Sequence, residues 1–191
     1  MSLKLNKKGF TLVELLIVIA ILGTLAVVVL IALNPVQQLA RTRDAGRKST
    51  VAQLGHAIEA NATTNGGTYM ATSNTWIDTL VATGEIGTAA QNPTYSAPGS
   101  GQHPAGADCG PAANMDNGFC YNAYGTPRTR AIVYARLESG ADNGRCPTAT
   151  QAAWVVYSTP NGGGGILCTA NQATPPGDPG IAGYSGTNWI Q

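Results

Sequence analysis

One carboxylate, Glu14, sits in "KKGFTLVELL" (residues 7–16), and from Leu15 to Ala40 no charged residue follows it. A charge at the mouth of a membrane-length segment is expensive unless it is neutralised or paired. The chemistry open to Glu14 is therefore electrostatic. It can select a cation that the apolar run itself does not contain.

Residue types suited to catalysis are sparse. His56 and His103 are the two histidines. His56 falls on a predicted helix beside its packed stripe, where a partly buried or solvated side chain is expected. His103 lies in "SGQHPAGADC", near Asp108 and Cys109, a juxtaposition of the kind that activates a thiolate. An irregular loop is a poor frame for that chemistry, and Cys109 is better used in a disulfide. The glycines of "NGGGG" (161–165) lack the lysine and helix start of a phosphate loop and read as a turn. Asp108 with Asp116, and Asp142 with Asn143, lack a recognisable calcium-ligand loop. Asn61-Ala62-Thr63 fits a glycosylation acceptor pattern but falls at a helix end. No enzyme, metal site or cofactor is expected.

The four cysteines, Cys109, Cys120, Cys146 and Cys168, all lie in the C-terminal half. Without a CxxC pair, zinc is disfavoured. An even count in a Gly/Pro-rich region points to two disulfides and an oxidising compartment. Three connectivities are open. Cys109 with Cys120 and Cys146 with Cys168 is the preferred one, because each pair brackets a short loop or hairpin.

Composition narrows the function classes. Charged residues make up 11% of the 191, well under the usual quarter, and the formal net charge is +1. That balance suggests no nucleic-acid partner by default. The one basic cluster, "RTRDAGRK" (41–48), reads as a solvated helix face or juxtamembrane patch.

The elements that must position these residues begin with the apolar run. Residues 15–33 are almost wholly Leu, Ile, Val and Ala, enough to cross a bilayer as one helix. A cleaved secretory signal would be shorter and end in a small-residue site, whereas "NPVQQLARTRD" follows here. Lysines and arginines flank both ends, so charge counting leaves orientation open. If the cysteines form disulfides, the C-terminal part is expected outside and the short N-terminus inside. Asn34-Pro35 reads either as a cap with proline at a first helical position or as a kink. Val51, Leu54 and Ile58, with Ala57 beside them, continue a helical stripe, and Asn65-Gly66-Gly67 ends it. A short helix from near Asn74 would face Trp76, Ile77 and Leu80 inward. Residues 89–117 read as a long loop. "FCYNAY", "AIVYARL", "AAWVVYS" and "GILCTA" read as strands, with "TPNGGGG" as a hairpin connection. The tail from Ala170 reads as a loop tied down by Trp189 and Ile190.

The stretch "KKGFTLVELLIVIAILGTLAVVVL" closely resembles the class III signal of type IV pilins and of the pseudopilins of type II secretion systems. The matching elements are a short basic leader ending in Gly9, then Phe10 and Thr11, then Glu14 abutting the spanning run. The resemblance covers about the first 60 residues. It implies that a prepilin peptidase cuts between Gly9 and Phe10 and methylates the Phe10 amine. Loss of Lys4, Lys7 and Lys8 would leave eight basic side chains against ten acidic. The family often places a proline inside the apolar helix, whereas here Pro35 stands at its outer end.

The implied fold is α+β, a long N-terminal helix, transmembrane in its first half, packed on a small antiparallel sheet. The implied segments are a cleaved leader at 1–9, a transmembrane and assembly helix at 10–34, an amphipathic continuation at 35–64, and a strand-rich domain with long loops at 65–191. The implied partners are copies of the same chain, the prepilin peptidase, an inner-membrane assembly platform, and membrane lipid before assembly. The chain would be a single-pass inner-membrane protein, N-terminus inside, before joining an extracellular pilus or periplasmic pseudopilus. Glu14 would meet a neighbour's Phe10 amine, and Gly23, Thr24 and Ala26 would let helices touch. A pilus subunit, a secretion pseudopilin and a monomeric membrane-anchored binding module remain the competing functions.

Overall fold

The computed structural model describes residues 9–91, 95, 109, 115–171 and 174–191. Lys4, Lys7, Lys8, His103 and Asp108 lie outside them. The described chain forms two compact units that divide between Gln38 and Leu39.

Helix α1, Leu12–Leu33, has no buried side chain. Its 22 residues extend about 33 Å at the standard rise, the thickness of a hydrocarbon core. It is the one described helical stretch long and apolar enough to cross a membrane. Asn34 closes it in the left-handed region, at φ 40°, a conformation that asparagine tolerates better than most residues. Helix α2, Pro35–Thr64, begins at once with proline at its first position, where the missing N–H is not needed. Both alternatives for Asn34-Pro35 are thus partly right: the helical run continues, but through a capped break.

From Leu39 onward α2 belongs to the second unit. Val51, Leu54, Ala57 and Ile58, spaced three and four apart, form its buried face. Gly66 and Gly67, at φ 66° and 81°, end it with a left-handed turn. Helix α3, Trp76–Ala82, buries Trp76, Ile77 and Leu80 as expected.

The sheet is a six-stranded antiparallel meander in the order β1 to β6. The strands are β1 Met115–Asp116, β2 Phe119–Tyr124, β3 Arg130–Arg136, β4 Ala152–Ser158, β5 Gly163–Thr169 and β6 Trp189–Ile190. Alternation sorts the side chains between two faces. Phe119, Tyr121, Val133, Val155, Tyr157 and Ile166 share a core with α2 and α3. Cys120, Ile132, Tyr134, Trp154, Val156 and Leu167 form a second core on the opposite face, joined by Cys109 and bordered by Tyr184 and Trp189. The architecture is α+β, a long N-terminal helical region packed against an antiparallel sheet.

Three expectations are corrected. The stretch taken as loop to Asn117 contains β1, which turns into β2 through Asn117-Gly118, both at positive φ. Asn-Gly is a strong two-residue hairpin signal. Gly163, Gly164 and Gly165 belong to strand β5 rather than to the turn before it. The tail ends in a strand, with Trp189 and Ile190 pairing against Leu167 and Ile166.

Two close fits hold this unit together. Gly55 on α2 lies under the Tyr157 ring, and a Cβ there would stand 2.1 Å from Tyr157 Cγ. On the tail, the Arg130 guanidinium donates through Nε and Nη2 to both carboxylate oxygens of Asp178, at 2.8 and 2.7 Å. The Arg130 hydrogen bond holds the Asp178 carboxyl below the usual aspartate value.

Gly55→Ala should lower the thermal midpoint of the detergent-solubilised chain. Overpacking of about 1–3 kcal/mol outweighs the roughly 1 kcal/mol that alanine gains in helix propensity; a raised midpoint would contradict the close fit. Asp178→Asn should lower the midpoint at pH 7. Because the folded carboxyl titrates below its unfolded value, the ion pair's contribution is present above the unfolded pKa and lost as pH falls through the folded one. The parent and variant midpoints should therefore converge in strong acid.

Candidate functional site

Gly9 and Phe10 precede α1 without regular structure, and Phe10 is 87% exposed. Thr11 is the N-cap, and Glu14 stands at the third helical position. The Thr11 N–H and hydroxyl both donate to Glu14 Oε2 at 2.8 Å, and the Glu14 N–H donates to Thr11 Oγ1 at 3.2 Å. This is a reciprocal capping box, which satisfies two donors at the helix start and places a negative charge at the positive end of the helix dipole.

The first partner of Glu14 is thus its own Thr11. Threonine followed three residues later by glutamate, just before an apolar run, is a legible signal for that arrangement. Farther along α1, Gly23 has nothing within 4 Å of where a Cβ would lie. The Thr24 hydroxyl donates back to the Ile21 carbonyl at 2.9 Å, so its hydrogen-bonding capacity is met within the helix.

The basic cluster is not a solvated face. Asp44 and Arg47 are fully buried, and Glu138 nearly so. Arg47 Nη1 donates to Asp44 Oδ1 at 2.7 Å and to Glu138 Oε1 at 3.0 Å. Arg43 Nε reaches the same Glu138 oxygen at 2.5 Å. The Asp44 carboxylate also accepts the backbone N–H groups of Glu138 and Ser139. Next to it, Lys48 pairs with Asp142, which accepts the Ser139 hydroxyl. The Arg47 guanidinium lies 3.7 Å from the Tyr95 ring centroid, within cation–π range.

Buried Arg47 and half-buried Arg43 face buried Asp44 and Glu138, so the charges of this cluster balance and tie α2 to the segment after β3. The missed signal was complementarity: "RLESGAD" (136–142) supplies the acids that "RTRDAGRK" lacks. One face of the helix carries Asp44, Arg47 and Lys48, spaced three and four apart.

The remaining candidates find structural roles. The ring of His56 is mostly exposed, and its Nδ1 lies 3.2 Å from the Tyr157 hydroxyl, which donates to Glu59 at 2.8 Å. Asp116 accepts the Ile77 N–H at 2.8 Å and so caps α3 from across the chain. Burial is the main cause of its raised pKa. Asp142 is used by Lys48 and Ser139, while Asn143 holds the Ala153 N–H. Asn61 is buried within α2, with its amide nitrogen 3.4 Å from Thr83 Oγ1, so the acceptor pattern there is structural. Cys109 is bonded to Cys120, and Cys146 to Cys168. Among the described residues no cluster of His, Cys, Asp and Glu could hold a metal ion.

A membrane-length helix opened by a capped carboxylate is followed by a helix packed on an antiparallel meander. At the N-terminus, residues 4–30 match the family described as the prokaryotic N-terminal methylation motif. The chain therefore carries the class III signal of a type IV pilin-like or pseudopilin precursor. No curated protein and no solved structure was found to match it significantly.

Asp44→Ala should destabilise the second unit, the head, by about 3–5 kcal/mol, the cost of leaving a buried charge unpaired. Arg41→Ala, on an exposed neighbour, should stay within about 0.5 kcal/mol. Chemical denaturation followed by tryptophan fluorescence measures both, and equal effects would refute the buried pairing.

Proposed function

We propose that the chain is a structural subunit of a type IV pilus-like filament, cut between Gly9 and Phe10, methylated on Phe10, and polymerised through α1. The observation that carries this reading is the methylation motif set on a helix with no buried side chain. Such a helix needs lipid before assembly and neighbouring helices after it.

In the bundle, the amine created at Phe10 of one copy meets Glu14 of another. The capping box supports this role, because both Thr11 donors go to Oε2 and hold the carboxylate at the helix start. Burying an amine or a carboxylate alone is costly, and burying them together is offset only at the correct stagger. Glu14 then selects register.

The filament would serve adhesion, motility, DNA uptake or export. Its subunit would depend on a prepilin peptidase and an inner-membrane platform, with the N-terminus inside before assembly. A secretion pseudopilin is the second reading, and it shares every N-terminal feature. The two disulfides favour a filament exposed to an oxidising exterior.

Mass analysis of the N-terminus from native envelopes should find a chain beginning at N-methylated Phe10. Glu14→Ala should leave the protein in the membrane and abolish or sharply reduce filaments in electron micrographs. An uncut chain starting at Met1, with assembly indifferent to Glu14, would leave the monomeric anchored module standing instead.

A further inference from the structure

Beyond Leu39, Ile181 is the one large hydrophobic side chain among the described residues that is exposed, at 89%. It projects from "DPGIAG" (178–183), whose other side chains are small or, in Asp178, anionic. The loop is held in shape by Asp178, which accepts from Arg130 and from the Gly180 N–H. It is also held by Asn161, which exchanges two hydrogen bonds with the Tyr184 backbone. Single exposed apolar residues are common, but this one is presented on a braced protrusion. It borders Tyr69, just past the C-terminal end of α2.

Nearer the start of the head lies an apolar cleft of about 370 Å³, lined by Val51, Ala52, Val155, Gly164, Ile166 and Ile190. Its origin is local. Gly164 alternates with Ile166 on the α2 side of β5, so a side chain is missing where the sheet would otherwise fill the gap. A Cβ there would meet only the Val156 carbonyl, at 3.7 Å. Lys48 and Arg145 supply the cationic part of the lining. Lys48 is paired with Asp142, whereas the Arg145 side chain has no ion-pair partner among the described residues.

We propose that Ile181 of one copy seats in the Gly164 cleft of the next, with the loop's Asp178 facing the cationic lining. Knob and socket differ, and about 18 Å of α2 separates residue 52 from its last residue at the standard rise. The contact is therefore heterologous and offset along the helix, and a heterologous contact whose rotation does not close repeats as an open filament. The inference rests on the filament reading above and adds the head-to-head contact to it.

Cysteine pairs test it in assembled filaments, since all four native cysteines are in disulfides. The full chain carrying Ile181→Cys and Ala52→Cys, treated with a short thiol cross-linker, should give a ladder of covalent multimers. Ile181→Cys paired with Ala82→Cys, outside the cleft, should not. Gly164→Val, which fills the socket, and Ile181→Lys, which opposes the cationic lining, should each reduce filament yield without lowering the head's thermal midpoint. Intact filaments with no ladder, an equal ladder from the Ala82 pair, or unchanged assembly of both the Gly164→Val and Ile181→Lys variants would overturn the contact and leave the filament reading in place. Absence of filaments from the parent chain would instead remove that reading.

Discussion

Helix α1 buries none of its side chains among the described residues. Each of its 22 residues is unburied, although nearly all are apolar, and leaving that much hydrocarbon in water is untenable at about 25 cal/mol per Å². Every other feature of the N-terminus follows from the need to place this helix elsewhere. It tolerates one carboxylate only because Glu14 stands in the first turn, where Thr11 and the helix dipole hold it. It ends at a capped break, Asn34-Pro35, and beyond that break the chain builds a core of its own.

That core solves a different problem, which is how to anchor a polar, weakly charged helix segment onto a sheet. Between Ala40 and Leu54 the contact is made partly by charge: Asp44 and Arg47 enter the interior with Glu138 as their counterpart. Buried ion pairs are weak evidence for net stability, because desolvation offsets much of their attraction. Their value lies in direction, since Asp44 accepts two backbone N–H groups that only the segment after β3 can present. Farther along, the contact becomes apolar, and Gly55 under Tyr157 lets helix and sheet approach closely.

Glu14 has a partner in a single chain, and this alters the account of its cost. A carboxylate with no local donor would favour any available cation. One held by Thr11 presents a defined geometry. In the proposed filament an incoming amine would meet an oriented acceptor, and selectivity for stagger would come from orientation as well as from charge.

Much of the local structure was legible because its causes are local. The apolar run, the 51/54/58 stripe, the glycines after α2 and the alternating strands each follow from a period or a turn residue read in one window. The methylation motif is likewise a contiguous pattern, and the α+β class follows from the order of these elements. What escaped were relations between distant segments. Asp44 finding Glu138, 94 positions away, and Asp116 capping α3 across 39 positions depend on where the backbone is brought, which no window contains. The sequence by itself determined a helix of membrane length, the methylation motif at its start, a lone carboxylate and the four longer strands. Tertiary structure alone decided that the basic cluster is interior, that the tail becomes a strand, and that Gly164 opens a cleft. Burial and long-range hydrogen bonding are properties of the packed chain, and the same residues in an isolated peptide would be solvated.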